Sequence, residues 1–166
     1  MRDSTSTVLF LLFVACAAVF VGQTSLELPL LVASHFGATG TAHGYMPRFF
    51  YIRFMLALVI GLPTIMTLVT WRALGSAKSR INLPNREYWL APKRSAKTIT
   101  FLRSGLLGFS ILLISFLCFA HWLVVLANRT QPPHLLATWF FGGLGGFLVA
   151  MSFFFIVFLG HFRTRD

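Results

Sequence analysis

The chain has 166 residues, of which 57% are apolar and four are acidic, and its formal net charge at pH 7 is +10. Soluble domains are about half apolar and about a quarter charged, so a soluble domain of this size could not bury this much apolar surface. The composition excludes an ordinary soluble domain and indicates a small polytopic membrane protein with one domain, residues 1–166.

The apolar segments predict an all-α integral membrane protein with four transmembrane helices, because about 20 apolar residues cross the hydrocarbon core. We predict spans at about residues 7–26, 49–71, 104–127 and 135–160, and we interpret the first as an uncleaved anchor. Pro63 predicts a kink in span two. Pro132 and Pro133 interrupt the short link after span three, which predicts that spans three and four form an antiparallel hairpin.

The basic residues predict the orientation of these spans. Eight of the fourteen Lys and Arg residues lie in the loop of residues 72–103, and short loops rich in Lys and Arg stay in the cytoplasm. Eleven basic residues then lie inside and three outside, with both termini cytoplasmic. Because these charges flank membrane spans, we expect them to meet lipid phosphates of the bilayer and no nucleic acid. The loop residues are Arg72, Lys78, Arg80, Arg86, Lys93, Arg94, Lys97 and Arg103.

The outer loop, residues 27–48, is the first candidate binding segment. Its carboxylate and its two imidazoles belong to the ligand class that zinc takes, although their spacing matches no short metal motif. The alternative is that the histidines are interfacial residues and that the glycines form turns. The candidate binding residues are Glu27, Pro29, His35, Phe36, Gly40 and His43.

His121 lies next to Trp122, about six residues from the outer end of span three. At a rise of about 1.5 Å per residue this places His121 close to the interface, where an amphipathic pair is typical of an aromatic belt. Haem ligation by His121 together with His134 or His35 is the alternative. We predict no cofactor, with haem and zinc left open.

The inner loop, residues 72–103, is the second candidate binding segment. Its two prolines bracket an aromatic pair, which indicates a stiff connector held at the headgroup level or a docking surface for a cytoplasmic protein. From Pro92 onward the sequence predicts a helix that continues into span three. The candidate binding residues are Asn82, Pro84, Arg86, Tyr88, Trp89 and Pro92.

Small residues spaced by four in span four predict a helix-packing seam at Gly142, Gly146 and Ala150. We expect this seam to serve the chain's own helices, and a partner subunit is the alternative. No nucleophile elbow, phosphate loop or paired carboxylates occur, and Glu27 and Glu87 are predicted on opposite sides of the membrane. An autonomous enzyme is therefore disfavoured, and no catalytic or metal-binding residue is predicted.

Two segments resemble a bacterial membrane family of unknown function, the one that supplies the N-terminal part of SdpI-type immunity proteins. The first is Leu28-Pro29, followed by His35-Phe36 and Gly40, and the second is Asn82-Leu83-Pro84 with Tyr88-Trp89-Leu90 and Pro92. The match covers roughly the first hundred residues. The family often carries an acidic residue shortly after the glycine, where this chain has Thr41, Ala42 and His43. The resemblance implies a bacterial inner-membrane protein whose two loops are its functional segments.

Three functions follow as hypotheses. The first is a small bacterial binding or immunity-type protein of the inner membrane, which has no catalytic activity and uses the two loops as recognition surfaces. The second is an accessory or assembly subunit of a larger membrane complex. The third is a haem-binding or metal-binding component of a membrane oxidoreductase.

Overall fold

The computed structural model describes residues 2–76 and 82–163, and the chain is 74% helical. Lys78, Arg80 and Arg165 of the predicted basic set lie outside the described residues. Four helical stretches are long and apolar enough to cross a membrane, as the sequence predicted. They cover Thr5–Glu27, Arg48–Gly75, Ser95–Asn128 and Ala137–Gly160.

The elements follow the chain in a simple order. Helix α1 is continued by a 3-10 turn at Ser25–Glu27, and a π-helical segment at Ala57–Gly61 separates α2 from α3. The bounds are α1 Arg2–Thr24, β1 Leu31–Phe36, β2 Ala42–Pro47, α2 Arg48–Leu56, α3 Leu62–Ser76, α4 Arg86–Trp89, α5 Ser95–Asn128 and α6 Ala137–Gly160.

We predict a kink at Pro63, and the structure has a π-helical segment, Ala57–Gly61, just before this proline. Pro63 has no backbone N–H, so the carbonyl of Val59, four residues earlier, receives no helical hydrogen bond from it. The wider turn at Ala57–Gly61 accommodates that missing bond. Span two is therefore two α-helices, α2 and α3, joined through one π-helical turn.

Contacts between helices fix their relative directions. Thr24 and Ser6 of α1 meet His121 and Ser104 of α5, respectively, so α1 and α5 run parallel. The ring pairs of α5 and α6 run in opposite order along the two helices, as expected for the predicted antiparallel hairpin. These pairs are Phe101–Phe158, Phe109–Phe155, Phe116–Phe147 and Trp122–Trp139.

The core lies between α1, α2–α3 and α5. Val21, Val59 and Ile114 are fully buried there, one from each of these three elements. Helix α6 has no buried residue and lies at the edge of the bundle. Many of its apolar side chains, such as Val149 and Ile156, face outward, where lipid would meet them, whereas Phe147 and Phe158 pack on rings of α5.

The outer loop contains a β-hairpin, which the sequence analysis did not predict. Strands β1 and β2 pair antiparallel, with Val32 opposite Met46 and with irregular register around His35. Val32 and Ala33 are completely buried, so β1 packs its middle against the helices. Gly40, at φ +90°, lies in the turn between the strands, as one interpretation expected, whereas Gly44 lies within β2.

We expect Gly40→Ala to lower the stability of the protein by roughly 2 kcal/mol or more. Gly40 has a positive φ, and a methyl group at this position would collide with the carbonyl oxygen of Leu135. Thermal unfolding of the detergent-purified protein measures the effect. Gly142→Ala is the matched control, because a Cβ there meets nothing within 4 Å and alanine favours helix. Equal melting temperatures for the two variants would contradict the role given to Gly40.

Candidate functional site

The β-hairpin is attached to the C-terminal end of α5 by one buried side chain, Asn128. The backbone N–H of Ala33 donates to Asn128 Oδ1 at 2.8 Å, and Asn128 Nδ2 donates back to the Ala33 carbonyl at 2.9 Å. Nδ2 also donates to the Val124 carbonyl of its own helix at 2.9 Å. The carboxamide thus bonds to the backbone N–H and C=O of Ala33 as a neighbouring strand would, so that these buried backbone groups of β1 are satisfied.

A second attachment joins the hairpin to the link between α5 and α6. The backbone N–H of Leu135 donates to the Gly40 carbonyl at 2.8 Å, and Thr41 forms an isolated β-bridge with His134. Glu27 and Arg129 form an exposed ion pair nearby, an interaction that typically contributes less than about 1 kcal/mol. The two outer connections therefore form one cap on the bundle.

Under this cap lies an open cleft of about 500 Å³ between β1, α5 and α6. The cap contributes Ser34, His35 and Phe36, and the helices contribute mainly apolar side chains. Ser34 Oγ lies 3.0 Å from His35 Nδ1 in an exposed pair, which we call the polar rim of the cleft. The apolar helix residues that line the cleft are called its floor. The helix residues that line the cleft are Ala120, Val124, Ala137, Phe140 and Phe141.

The predicted outer residues divide between the cleft and its supports. His35 and Phe36 line the cleft, whereas Gly40 and Glu27 belong to the attachments of the cap. His43 lies on β2, with its ring beside Gly37, and Pro29 is exposed before β1.

The proposed zinc ligands are not brought together as a set. Within residues 2–76 and 82–163, no group of three or more His, Cys, Asp or Glu residues could hold a metal ion. Glu27 is instead paired with Arg129. The outer loop thus gives no structural support to a zinc site built from Glu27, His35 and His43.

His121 is not part of an interfacial belt, and that expectation was wrong. Its side chain is completely buried, its ring stacks on Tyr51, and Phe20 meets it edge-on. The position of His121 along the helix could be predicted from the sequence, but the direction of its side chain could not. His121 faces α1 and α2, so it belongs to the core.

Hydrogen bonds to His121 define its tautomer. The single hydroxyl proton of Thr24 is donated to the Phe20 carbonyl at 2.7 Å, so Thr24 Oγ1 accepts from His121 Nε2 at 2.9 Å. Nδ1 then accepts from the Tyr51 hydroxyl at 2.9 Å. With both ring nitrogens engaged, His121 has no free nitrogen for haem, and the haem pairs that included it lose their support.

The two neighbouring aromatic residues of the inner loop meet edge-on, with ring centroids 5.2 Å apart, but their surroundings differ. Trp89 ends the single-turn helix α4, its Nε1 donates to the Phe162 carbonyl at 3.1 Å, and its ring packs on His161. Thr98 Oγ1 donates to the Trp89 carbonyl at 2.8 Å. Trp89 therefore fastens the loop to the ends of α5 and α6.

The other predicted inner residues are at the surface. Tyr88 is 44% exposed and lies under the guanidinium of Arg94, which is 3.9 Å from the ring centroid. A docking surface at this loop would therefore present Tyr88, not Trp89. The remaining exposed members are Asn82, Pro84, Arg86 and Pro92.

The predicted small-residue seam of α6 does not pack against the rest of the chain at its two glycines. A Cβ added to Gly142 or Gly146 would meet nothing within 4 Å, and Ala150 lines an apolar groove between α5 and α6. The close contacts use other glycines, since a methyl group on Gly143 would overlap Phe119 and one on Gly105 would overlap Phe158. Which glycines of α6 face inward therefore follows from the packing against α5 and not from their spacing in the sequence.

Comparisons with known proteins identify no relative: no family model, no curated protein and no solved structure matches the chain. The resemblance to the SdpI-type family stays a hypothesis carried by the motifs in the two loops.

We expect Asn128→Asp to destabilise the protein by about 2–3 kcal/mol, because the buried carboxylate cannot donate to the carbonyls of Ala33 and Val124. The melting temperature of the purified protein measures the loss. Asn82→Asp makes the same chemical change at an exposed position and should leave the melting temperature nearly unchanged. If both variants melt alike, Asn128 does not hold the hairpin.

Proposed function

We propose that this chain is a binding protein of the bacterial cytoplasmic membrane, of the immunity type, without catalytic activity of its own. Both termini lie in the cytoplasm, and the cap faces the outside. The outer cleft receives an amphipathic ligand, such as a peptide with apolar side chains. The observation that carries the proposal is the cleft itself, with its polar rim at Ser34–His35 and its apolar floor.

The distribution of charge supports the orientation. Lys93, Arg94 and Lys97 of the inner loop lie at the end of the bundle where Trp89 meets Phe162. The cap carries Arg48 and Arg129. The ratio of eleven to three across the whole sequence favours a cytoplasmic location for the loop end. The cap would then face the periplasm.

The composition of the cleft favours binding over catalysis. Ser34 and His35 form a hydrogen-bonded pair, but a nucleophilic site also needs a group that orients the base and donors for an oxyanion. Among the described residues, His35 has no ion pair with a carboxylate. The pair is suited to bind a polar group at the mouth of the cleft while apolar groups enter beneath it.

Helix α6 connects the two loops in this proposal. Phe140 and Phe141 near its start line the outer cleft, and Phe162 beyond its end accepts the hydrogen bond from Trp89. A ligand that shifts the start of α6 would therefore act on the inner loop through the other end of the same helix. The exposed ring of Tyr88 would present that change to a cytoplasmic partner.

A second candidate is an accessory subunit of a larger membrane complex. The open space over Gly142 and Gly146 favours it, because small residues let a partner helix approach closely. Native mass spectrometry after mild solubilisation distinguishes the two candidates. Stoichiometric partner subunits that are lost in Gly146→Leu would support the subunit role, and a chain without partners would support the binding protein.

A photo-crosslinking residue at Phe36, in the cleft, should form a specific adduct in intact cells. The same residue at Val149, which is 71% exposed on α6, is the control for lipid-facing positions. We expect His35→Ala to reduce the Phe36 adduct about tenfold, the effect of losing about 1.4 kcal/mol of binding free energy. Immunoblotting of the membrane fraction should show unchanged abundance. Identical adducts at both positions, or a loss of abundance equal to the loss of adduct, would contradict recognition at this cleft.

A further inference from the structure

Three cavities meet around one face of the first turns of α5, at the end opposite the outer cleft. Lys97, Phe101 and Ser104 are spaced by four and three residues, so they lie on the same helix face. Phe101 lines all three cavities, Lys97 lines two of them, and Ser104 lines two. The cavities are therefore parts of one continuous surface.

Two of these cavities include charged and hydroxyl-bearing side chains. The first, of about 650 Å³, lies between α1 and α5 and combines Lys97 with the hydroxyl-bearing residues Ser6, Thr100 and Ser104. The second, of about 400 Å³, is lined by basic residues and by Trp89, Thr98, Phe101 and His161. Its basic residues are Lys93, Arg94 and Lys97.

The charges of this surface are not compensated within the described part of the protein. Among the described residues, an ion pair joins Glu27 to Arg129 at the other end of the bundle. No carboxylate of the described residues pairs with Lys93, Arg94 or Lys97. Three cations beside hydroxyl groups are complementary to a phosphate group. The bilayer supplies phosphate groups at the ends of the spanning helices.

The third cavity is apolar and leads away from the charges. It has a volume of about 540 Å³ and runs along the groove between α5 and α6, past Gly105 to Leu112. Gly105 lets Phe158 approach α5, and the small side chain of Ala150 lines the groove. Its apolar lining suits a hydrocarbon chain, and it adjoins the cavity between α1 and α5 at Phe101 and Ser104.

We propose that this surface is a binding site for an anionic phospholipid. Lys97, with Lys93 and Arg94, binds the phosphate and its headgroup, and one acyl chain lies in the groove between α5 and α6. A polar, positively charged pocket continuous with an apolar groove matches an amphiphile better than a free anion, because a free anion would leave the groove empty. The site is separate from the outer cleft, since no residue lines both.

The test uses the full chain purified in mild detergent, with native mass spectrometry to measure retained lipid. Phosphatidylglycerol should bind as a single retained molecule, phosphatidylcholine should bind at least about fivefold more weakly, and glycerol phosphate should not be retained. Lys97→Gln should weaken phosphatidylglycerol binding about fivefold, the effect of one charge near a phosphate. Arg163→Gln removes an exposed charge outside the three cavities and should leave binding unchanged.

Ala150→Leu provides an independent test that leaves every charge in place. The larger side chain fills the groove, so phosphatidylglycerol binding should fall about as much as in Lys97→Gln. His35→Ala should not change it, which keeps the lipid site distinguishable from the outer cleft. The proposal is overturned if phosphatidylcholine binds equally well, if Lys97→Gln and Arg163→Gln behave alike, or if Ala150→Leu has no effect. Retention of glycerol phosphate would show a phosphate site without the acyl groove and would also overturn it.

Discussion

The end of the bundle that carries the β-hairpin depends on the pairing of the Asn128 carboxamide with the backbone of Ala33. A strand placed on an apolar bundle carries backbone groups that neither lipid nor apolar side chains can satisfy. One amide side chain supplies both a donor and an acceptor, and its third bond to the Val124 carbonyl fixes its orientation on α5. The position of β1, and with it the wall of the cleft, follows from this contact.

Helix α5 provides the other polar contacts that hold the bundle together. His121 joins Thr24 and Tyr51, Ser110 bonds Thr67 at 2.9 Å, and Thr98 holds the inner loop at Trp89. In lipid, apolar burial does not drive helices together, so packing and such hydrogen bonds fix which helix faces meet. The same helix thus positions the cleft at one end and the basic cavities at the other.

The sequence predicted what composition and length determine, namely the four apolar helices and the long helix that begins after Pro92. It did not predict the hairpin, because β1 is stabilised by Asn128, which lies 95 residues after Ala33 in the chain, and not by an alternation of apolar and polar residues within the strand. The sequence also could not predict that His121 faces the core, or that Gly143 and not Gly142 packs against α5. Spanning helices are apolar on every side, so their sequences carry little information about which face is inward.

Both proposed sites require the cap and the basic loop to lie on opposite sides of one membrane, with the cap outside. The most direct measurement is labelling of single cysteines by a membrane-impermeant thiol reagent in intact cells, in a background without Cys16 and Cys118. We predict that His35→Cys is labelled at once, and that Lys93→Cys is labelled only after the cytoplasmic membrane is permeabilised. Labelling of Lys93→Cys in intact cells, with His35→Cys protected, would contradict the account.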